Sequence, residues 1–352
     1  MSRYWSDVVT QLTPYVPGEQ PRLSKLVKLN TNEHPYLPAP GVMQAIASVD
    51  GDALRRYPDP ESVELREAFA RRNNLQAEQV FLGNGSDEVL AHIFQALFKH
   101  PLPLLFPDIT YSFYPVWCEL YQVSCRTVPL QADFTVDPED YRGDNGGIII
   151  PNPNAPTGIV MGLDSIRVLL EQNPDSVVVI DEAYIDFGGD SAVALIPDFD
   201  NLLVVQTMSK SWALAGLRVG VAMGNAELIE GLQRVKNSFN SYPLDVLAQR
   251  AALAALADEP YFDSSCRRVV DSRERLSAAM IGLGFEVLPS AANFIMARYP
   301  GRSAAELFQQ LRSRGIIVRY FDRPRIDQYL RISIGTDEQC DELLSALTEL
   351  VS

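Results

Sequence analysis

The chain is poor in lysine and histidine. It has five lysines (Lys25, Lys28, Lys99, Lys210 and Lys236) and three histidines (His34, His92 and His100) among 352 residues. The formal net charge is −15 and no basic run occurs, which argues against nucleic acid and anionic membrane as partners. The histidines show no H-E-x-x-H or related spacing, so no metal is expected. His92 falls in the helical pattern Val89, Leu90, Ile93, Phe94, Leu97 and reads as a plain helix-face residue. The four cysteines, Cys118, Cys125, Cys266 and Cys340, form no C-x-x-C pair and read as small buried hydrophobes in a reducing compartment. No apolar run approaches the ~20 residues of a membrane helix. The opening "MSRYWSDVVTQLTPYVPG" has acid and proline where a signal peptide needs an apolar core. These absences point to a cytoplasmic protein without a low-complexity linker or internal repeat.

What is present is an ordinary folding composition, 47% apolar and 21% charged. That suffices for one large domain and a smaller one. Residues 1–42 are proline-rich and read as an N-terminal arm lying on something else. From residue 43 to 243, helical patterns alternate with short Val/Ile/Leu runs: "EQVFLG", "LPLLF", "GGIIIP", "DSVVVI" and "NLLVVQ". Such runs suit strands buried on both faces of a mostly parallel sheet, an α/β fold with helices on each side. From 244 to 352 the order changes to long helices and then "FIMARY", "GIIVRYF" and "YLRISIG", which predicts a smaller α+β domain.

Ligands of an open α/β sheet sit beyond the carboxyl ends of its strands, so the residues after each run carry the argument. "GNGSDE" turns tightly into a helix, with Ser86 as a good N-cap and Asp87 and Glu88 in the first turn. A helix start accepts a phosphate, and equally it is how many ordinary helices begin. It is no dinucleotide fingerprint, because Glu88 stands where a third glycine or alanine is needed; a nicotinamide-dependent dehydrogenase fails there. Asp181 follows an apolar run, where an unpaired carboxylate is costly. Tyr184 is three residues on, within reach of the same pocket. Lys210 is the one lysine that follows a buried-strand pattern, and a desolvated amine there is a nucleophile for a carbonyl. Arg218 closes the apolar stretch "WALAGL" and wants an anion. A surface role remains open for each residue singly. Together, lysine, acid, arginine and helix start suit pyridoxal 5'-phosphate, whose aldehyde, ring nitrogen and phosphate need these partners.

The stretches "TMSKSWALAGLRVG", "DEAYIDF", "PNPNAPTG" and "GNGSDE" resemble the fold-type I aminotransferases. "LTPYVPG", "KLNTNEHPY", "RRYPDP" and "YLRISIG" are similar to the histidinol-phosphate aminotransferases among them. The resemblance implies a large cofactor-binding domain, a smaller C-terminal domain and a homodimer. It implies that Lys210 binds the cofactor aldehyde covalently, Asp181 holds its ring nitrogen, Tyr184 its ring hydroxyl, and Tyr111 its face. Ser86, Asp87, Ser209 and Arg218 would surround the phosphate, and Tyr57 would reach the neighbouring subunit's phosphate. Tyr15, Arg319 and Arg331 would hold the substrate's own phosphate. The implied reaction moves an amino group between glutamate/2-oxoglutarate and imidazole acetol phosphate/histidinol phosphate. An aromatic amino-acid aminotransferase and a phosphothreonine-type decarboxylase are alternatives on the same scaffold. A regulatory module without turnover would carry a DNA-binding appendage that the chain lacks. One departure stands out: the family's asparagine before the proline of N-P-T-G is Ala155 here, so either Asn154, one residue earlier, makes that contact to the ring hydroxyl, or the contact is lost and Tyr184 bears it alone. Trp212 and His34 are bulkier than those motifs suggest and are expected to tune specificity.

Overall fold

The computed structural model describes residues 2–16, 18–21 and 26–351; Pro17 of "LTPYVPG" and Lys25 lie outside them. Seven strands form the main sheet: β1 (Val80–Asn84), β2 (Leu104–Pro107), β3 (Cys125–Val128), β4 (Gly147–Pro151), β5 (Val178–Asp181), β6 (Leu202–Thr207) and β7 (Val219–Gly224). Their spatial order is β1-β7-β6-β5-β4-β2-β3. All pairs are parallel except those of β7, which runs against both β1 and β6. The sheet is thus mostly parallel, as the apolar runs predict, with one reversed strand between two that share a direction.

Alternation within each strand builds the layers. Ile148, Ile150, Val178, Ile180 and Val204 point into one core, with helices Val63–Arg72 and Leu163–Gln172. Ile149, Val179, Leu203 and Val205 point into the other, under helices Gly85–Ala96, Tyr114–Tyr121 and Ala226–Phe239. Burial on both faces is why these strands read as continuous apolar runs. Truncating one such side chain to alanine costs about 2–5 kcal/mol.

The C-terminal part holds an antiparallel sheet, β10-β11-β9-β8, from β8 (Glu286–Val287), β9 (Phe294–Arg298), β10 (Arg319–Tyr320) and β11 (Leu330–Ser333). Helices Glu259–Gly282, Ala304–Ser313 and Asp337–Val351 pack around it. The arm is not wholly extended. It has a short helix, Asp7–Gln11, and Val27–Lys28 then pairs in parallel with Ile316–Ile317. Leu29 O accepts from Ser333 N at 2.9 Å, which lays residues 27–32 against the smaller sheet. Helix Val246–Leu256 sends Ala248, Ala251, Ala252 and Ala255 into the core beneath the main sheet.

Candidate active site

The carboxyl ends of β1, β2, β4, β5 and β6 open onto one cavity of about 510 Å³. Its wall includes Tyr15, Ser86, Asp87, Tyr111, Asp181, Tyr184, Ser209, Lys210, Arg218, Arg319 and Arg331. Eleven residues predicted from seven separated stretches therefore meet in one place.

Lys210 sits just past β6. Thr207 shapes the turn, its hydroxyl accepting from Ser209 N at 3.1 Å and donating to Ser209 Oγ at 3.0 Å. The Lys210 amine donates to Thr31 O at 3.2 Å and stands 5.7 Å from the Tyr184 ring centre. No carboxylate pairs with it among the described residues, so it is free to meet a carbonyl carbon in the cavity.

Asp181 ends β5 and is 5% exposed. Its Oδ2 accepts from the Tyr114 hydroxyl at 2.8 Å, while the buried Oδ1 has no partner. Burial pushes its pKa up to about 6; the Tyr114 bond pulls the other way, and the Asp87 charge adds to the rise. An acid held this way lacks one thing, a cationic N–H at Oδ1.

At the start of helix Gly85–Ala96, Arg218 donates to Asp87 Oδ2 at 2.9 Å and to Ser209 Oγ at 3.3 Å. Gly85 adopts φ 80°, and a Cβ there would stand 2.5 Å from Arg218 Nη2. Only glycine leaves room for the guanidinium. Ser86 is not the N-cap expected from the sequence. Asn84 takes that place, and the Glu88 carboxylate accepts its N–H at 2.5 Å, leaving Ser86 in the first turn facing the cavity. Tyr111 donates to Asp87 Oδ1 at 3.1 Å.

The smaller sheet brings a second cationic group to the cavity. Arg319 and Arg331 are paired across β10 and β11, and both lie over the Phe321 ring, at 5.4 and 5.6 Å. Arg331 donates to Asn30 O at 2.8 Å, and its Nε has no partner. Tyr15 stacks on Phe113 with centroids 4.7 Å apart.

Asn154 is a correction. It is buried behind the wall rather than in it, and its amide donates to Ile109 O at 3.0 Å and Thr157 Oγ1 at 3.1 Å. Ala155 and Pro156 form the wall at that point and offer no side-chain donor. Trp212 and His34 do not line the cavity either; Trp212 stacks on Phe262 at 3.9 Å. Tyr57, 81% exposed, lies outside this chain's cavity and stacks on Tyr242. The sequence reading missed Asn32, Thr110 and Tyr114. Tyr114 carried a signal, standing three residues beyond Tyr111 at the start of the helix that follows.

The donors fit pyridoxal 5'-phosphate: an amine for an aldehyde, an open buried carboxylate oxygen for a protonated ring nitrogen, and an arginine beside a helix start for a phosphate. The family profile for "Aminotransferase class I and II" matches residues 24–347. The "Histidinol-phosphate aminotransferase 2" of Dechloromonas aromatica (strain RCB) is 60% identical over 99% of each chain. The "Histidinol-phosphate aminotransferase 1" of Pseudomonas aeruginosa is 59% identical, again over 99% of each. A crystal structure of histidinol-phosphate aminotransferase from Sinorhizobium meliloti, in complex with pyridoxal-5'-phosphate, superposes with a TM-score of 0.85 at 25% identity. It covers 100% of this chain and 98% of that one. Lysine, acid and arginines in one cavity, on a chain alike from end to end, make this protein a member of the class I and II aminotransferases.

Proposed function

We propose that this chain transfers an amino group between glutamate/2-oxoglutarate and imidazole acetol phosphate/L-histidinol phosphate, using pyridoxal 5'-phosphate. The observation that carries the reading is the presence of two cationic groups in one cavity, Arg218 at the start of helix Gly85–Ala96 and Arg319 with Arg331 on β10 and β11. One suits the cofactor's phosphate and the other the substrate's. The full-length likeness to chains named histidinol-phosphate aminotransferase supports it.

When bound, the cofactor supplies an electron sink for the pair left on the substrate Cα. Lys210 Nζ would hold its aldehyde end and, once displaced by an incoming amine, take the proton from the substrate Cα as general base. Asp181 Oδ1 would keep a proton on the ring nitrogen, Tyr184 would donate to the ring hydroxyl oxygen, and Tyr111 would lie against the ring. Ser86, Asp87, Ser209 and Arg218 would orient the phosphate. Tyr15, Arg319 and Arg331 would hold the substrate anion.

The working unit in this reading is a cytoplasmic homodimer. Tyr57 is exposed, as are Met43, Leu54 and Phe239, and would reach the partner's site. Sedimentation as a monomer at micromolar concentration would remove that part. The three-part division into 1–42, 43–243 and 244–352 is proposed with it, helix Val246–Leu256 lending its alanine face to the large core.

The test is Lys210→Ala. The purified wild type should be yellow, and borohydride should fix the cofactor to Lys210 by mass spectrometry. The variant should lose multiple-turnover transfer from glutamate. Retained turnover, or an adduct elsewhere, would defeat the reading. A panel including phenylalanine and phosphothreonine sets histidinol phosphate against its rivals.

A further inference from the structure

We propose that Asn32 is a positioning residue that aims the Tyr184 hydroxyl proton into the cavity. The inference rests on the reading above, in which Tyr184 faces a cofactor oxygen.

Asn32 is 1% exposed and lines the cavity. Its Nδ2 donates to the Tyr184 hydroxyl at 3.1 Å. The direction of that bond is forced. Ser333 Oγ accepts from Asn32 N at 2.8 Å and donates to Asn32 Oδ1 at 2.8 Å. A flipped amide would make the Ser333 hydroxyl accept two N–H groups and leave its own proton without an acceptor among the described residues. The amide oxygen therefore faces Ser333, and the NH₂ faces Tyr184. Asn293 Nδ2 holds Asn32 O at 3.0 Å, and the residue sits at φ 54°, a left-handed conformation that asparagine tolerates.

The consequence falls on Tyr184. With its oxygen accepting from Asn32, the phenol must send its own proton elsewhere, and no acceptor for it occurs among the described residues. It can turn only toward the cavity. On this wall Ala155 and Pro156 offer no side-chain donor, and both N–H groups of the Asn154 amide are committed elsewhere. Tyr184 is then the side-chain donor for an oxygen bound here, and Asn32 sets its polarity. The triad also joins three parts of the chain: the arm through Asn32, β11 through Ser333, and the loop after β5 through Tyr184.

A donor to the ring oxygen weakens that oxygen's hold on the proton it shares with Lys210 Nζ. Losing the donor raises the pH at which that proton leaves, seen as the midpoint of the colour change of the bound cofactor. The experiment titrates the absorption of wild type, Asn32→Gly, Ser333→Ala, Tyr184→Phe and Asn32→Gly/Tyr184→Phe, each loaded with pyridoxal phosphate. Glycine accepts the backbone of position 32, so fold loss is minimised. Asn32→Gly should raise the midpoint by about one pH unit, and Ser333→Ala by less, in the same direction. In the Tyr184→Phe background, Asn32→Gly should add under about a quarter of a unit. An unmoved midpoint in both single variants, or an equal shift with and without the phenol, overturns the proposal while leaving the transaminase reading intact. A wild type that binds no chromophore overturns both.

Discussion

Tyr114 and Asp181 form a buried pair, phenol to carboxylate at 2.8 Å, that leaves the other carboxylate oxygen unpaired at the cavity wall. The pair joins helix Tyr114–Tyr121 to the end of β5. It fixes which oxygen faces the ligand and offsets part of the burial penalty on the charged acid.

Removing the phenol oxygen tests this. Tyr114→Phe keeps the ring, which packs against Phe94 and Phe106, and leaves Oδ2 without a donor. The acid's pKa should rise further above about 6, and its grip on a protonated ring nitrogen should weaken. We expect a loss of about 1–3 kcal/mol in cofactor binding, roughly 5- to 150-fold, with kcat falling in step. Equilibrium dialysis of pyridoxal phosphate and steady-state kinetics measure both. An unchanged dissociation constant would show that Asp181 does not need the pair.

Arg331 is expected to govern the substrate and not the cofactor, because its partners, Asn30 and Phe321, are separate from those of Arg218, Asp87 and Ser209. Arg331→Lys keeps the charge but loses the planar fork and its bond to Asn30 O. KM for histidinol phosphate should rise about 10- to 100-fold, from the ~1.5–3 kcal/mol of a charge-assisted contact. Cofactor retention should stay as in wild type. Equal losses in both would place Arg331 in the scaffold.

Glu182 gives a pH prediction for stability. It is 1% exposed and accepts from Ser191 Oγ and Ala192 N at 2.6 Å and from Gln206 at 2.9 Å. Burial still pushes its pKa up to about 7. A carboxyl whose folded pKa is raised stabilises fully below its unfolded value, near 4.5, and loses that contribution as pH rises through 7. Buried His34 and His92, both pushed down to about 4, act in the opposite sense between 4 and 6.5. Glu182→Gln removes only the first effect. The stability of wild type minus variant should therefore fall by about 1–3 kcal/mol from pH 4.5 to 8. Denaturant melts of the cofactor-free proteins at several pH values read it. A difference that grows with pH would reverse the assignment.

Much of this was legible in the sequence because of burial geometry. β4, β5 and β6 are covered on both faces, so nearly every residue is Val, Ile or Leu, and the polar residue that follows marks the site. β3, "CRTV", was not legible: it is an edge strand with three of its four residues exposed. β7, "VGVAMG", hid behind its two glycines and the apolar stretch before it. "GIIVRYF" reads as one strand but splits, Ile316–Ile317 joining the arm and Arg319–Tyr320 joining β11. Local pattern carries no information on such partition. The bonds of Asn32 to Ser333, 301 residues away, and of Tyr114 to Asp181, 67 away, are equally invisible to it. Ser86 failed for a local reason, since glycine at φ 80° starts the helix two residues earlier than a serine cap would.

The reversed direction of β7 has a bearing on how robust the centre is. Because this strand runs against its neighbours, its first turn, not its last, arrives beside the ends of β1 and β6, and it brings Arg218 with it. A slip of two residues along both ladders would keep every side chain on its proper face and restore most of the backbone pairing. Yet it would carry the guanidinium about 7 Å from Asp87 and Ser209. A misaligned sheet of that kind would pass as folded by circular dichroism while being unable to hold a phosphate.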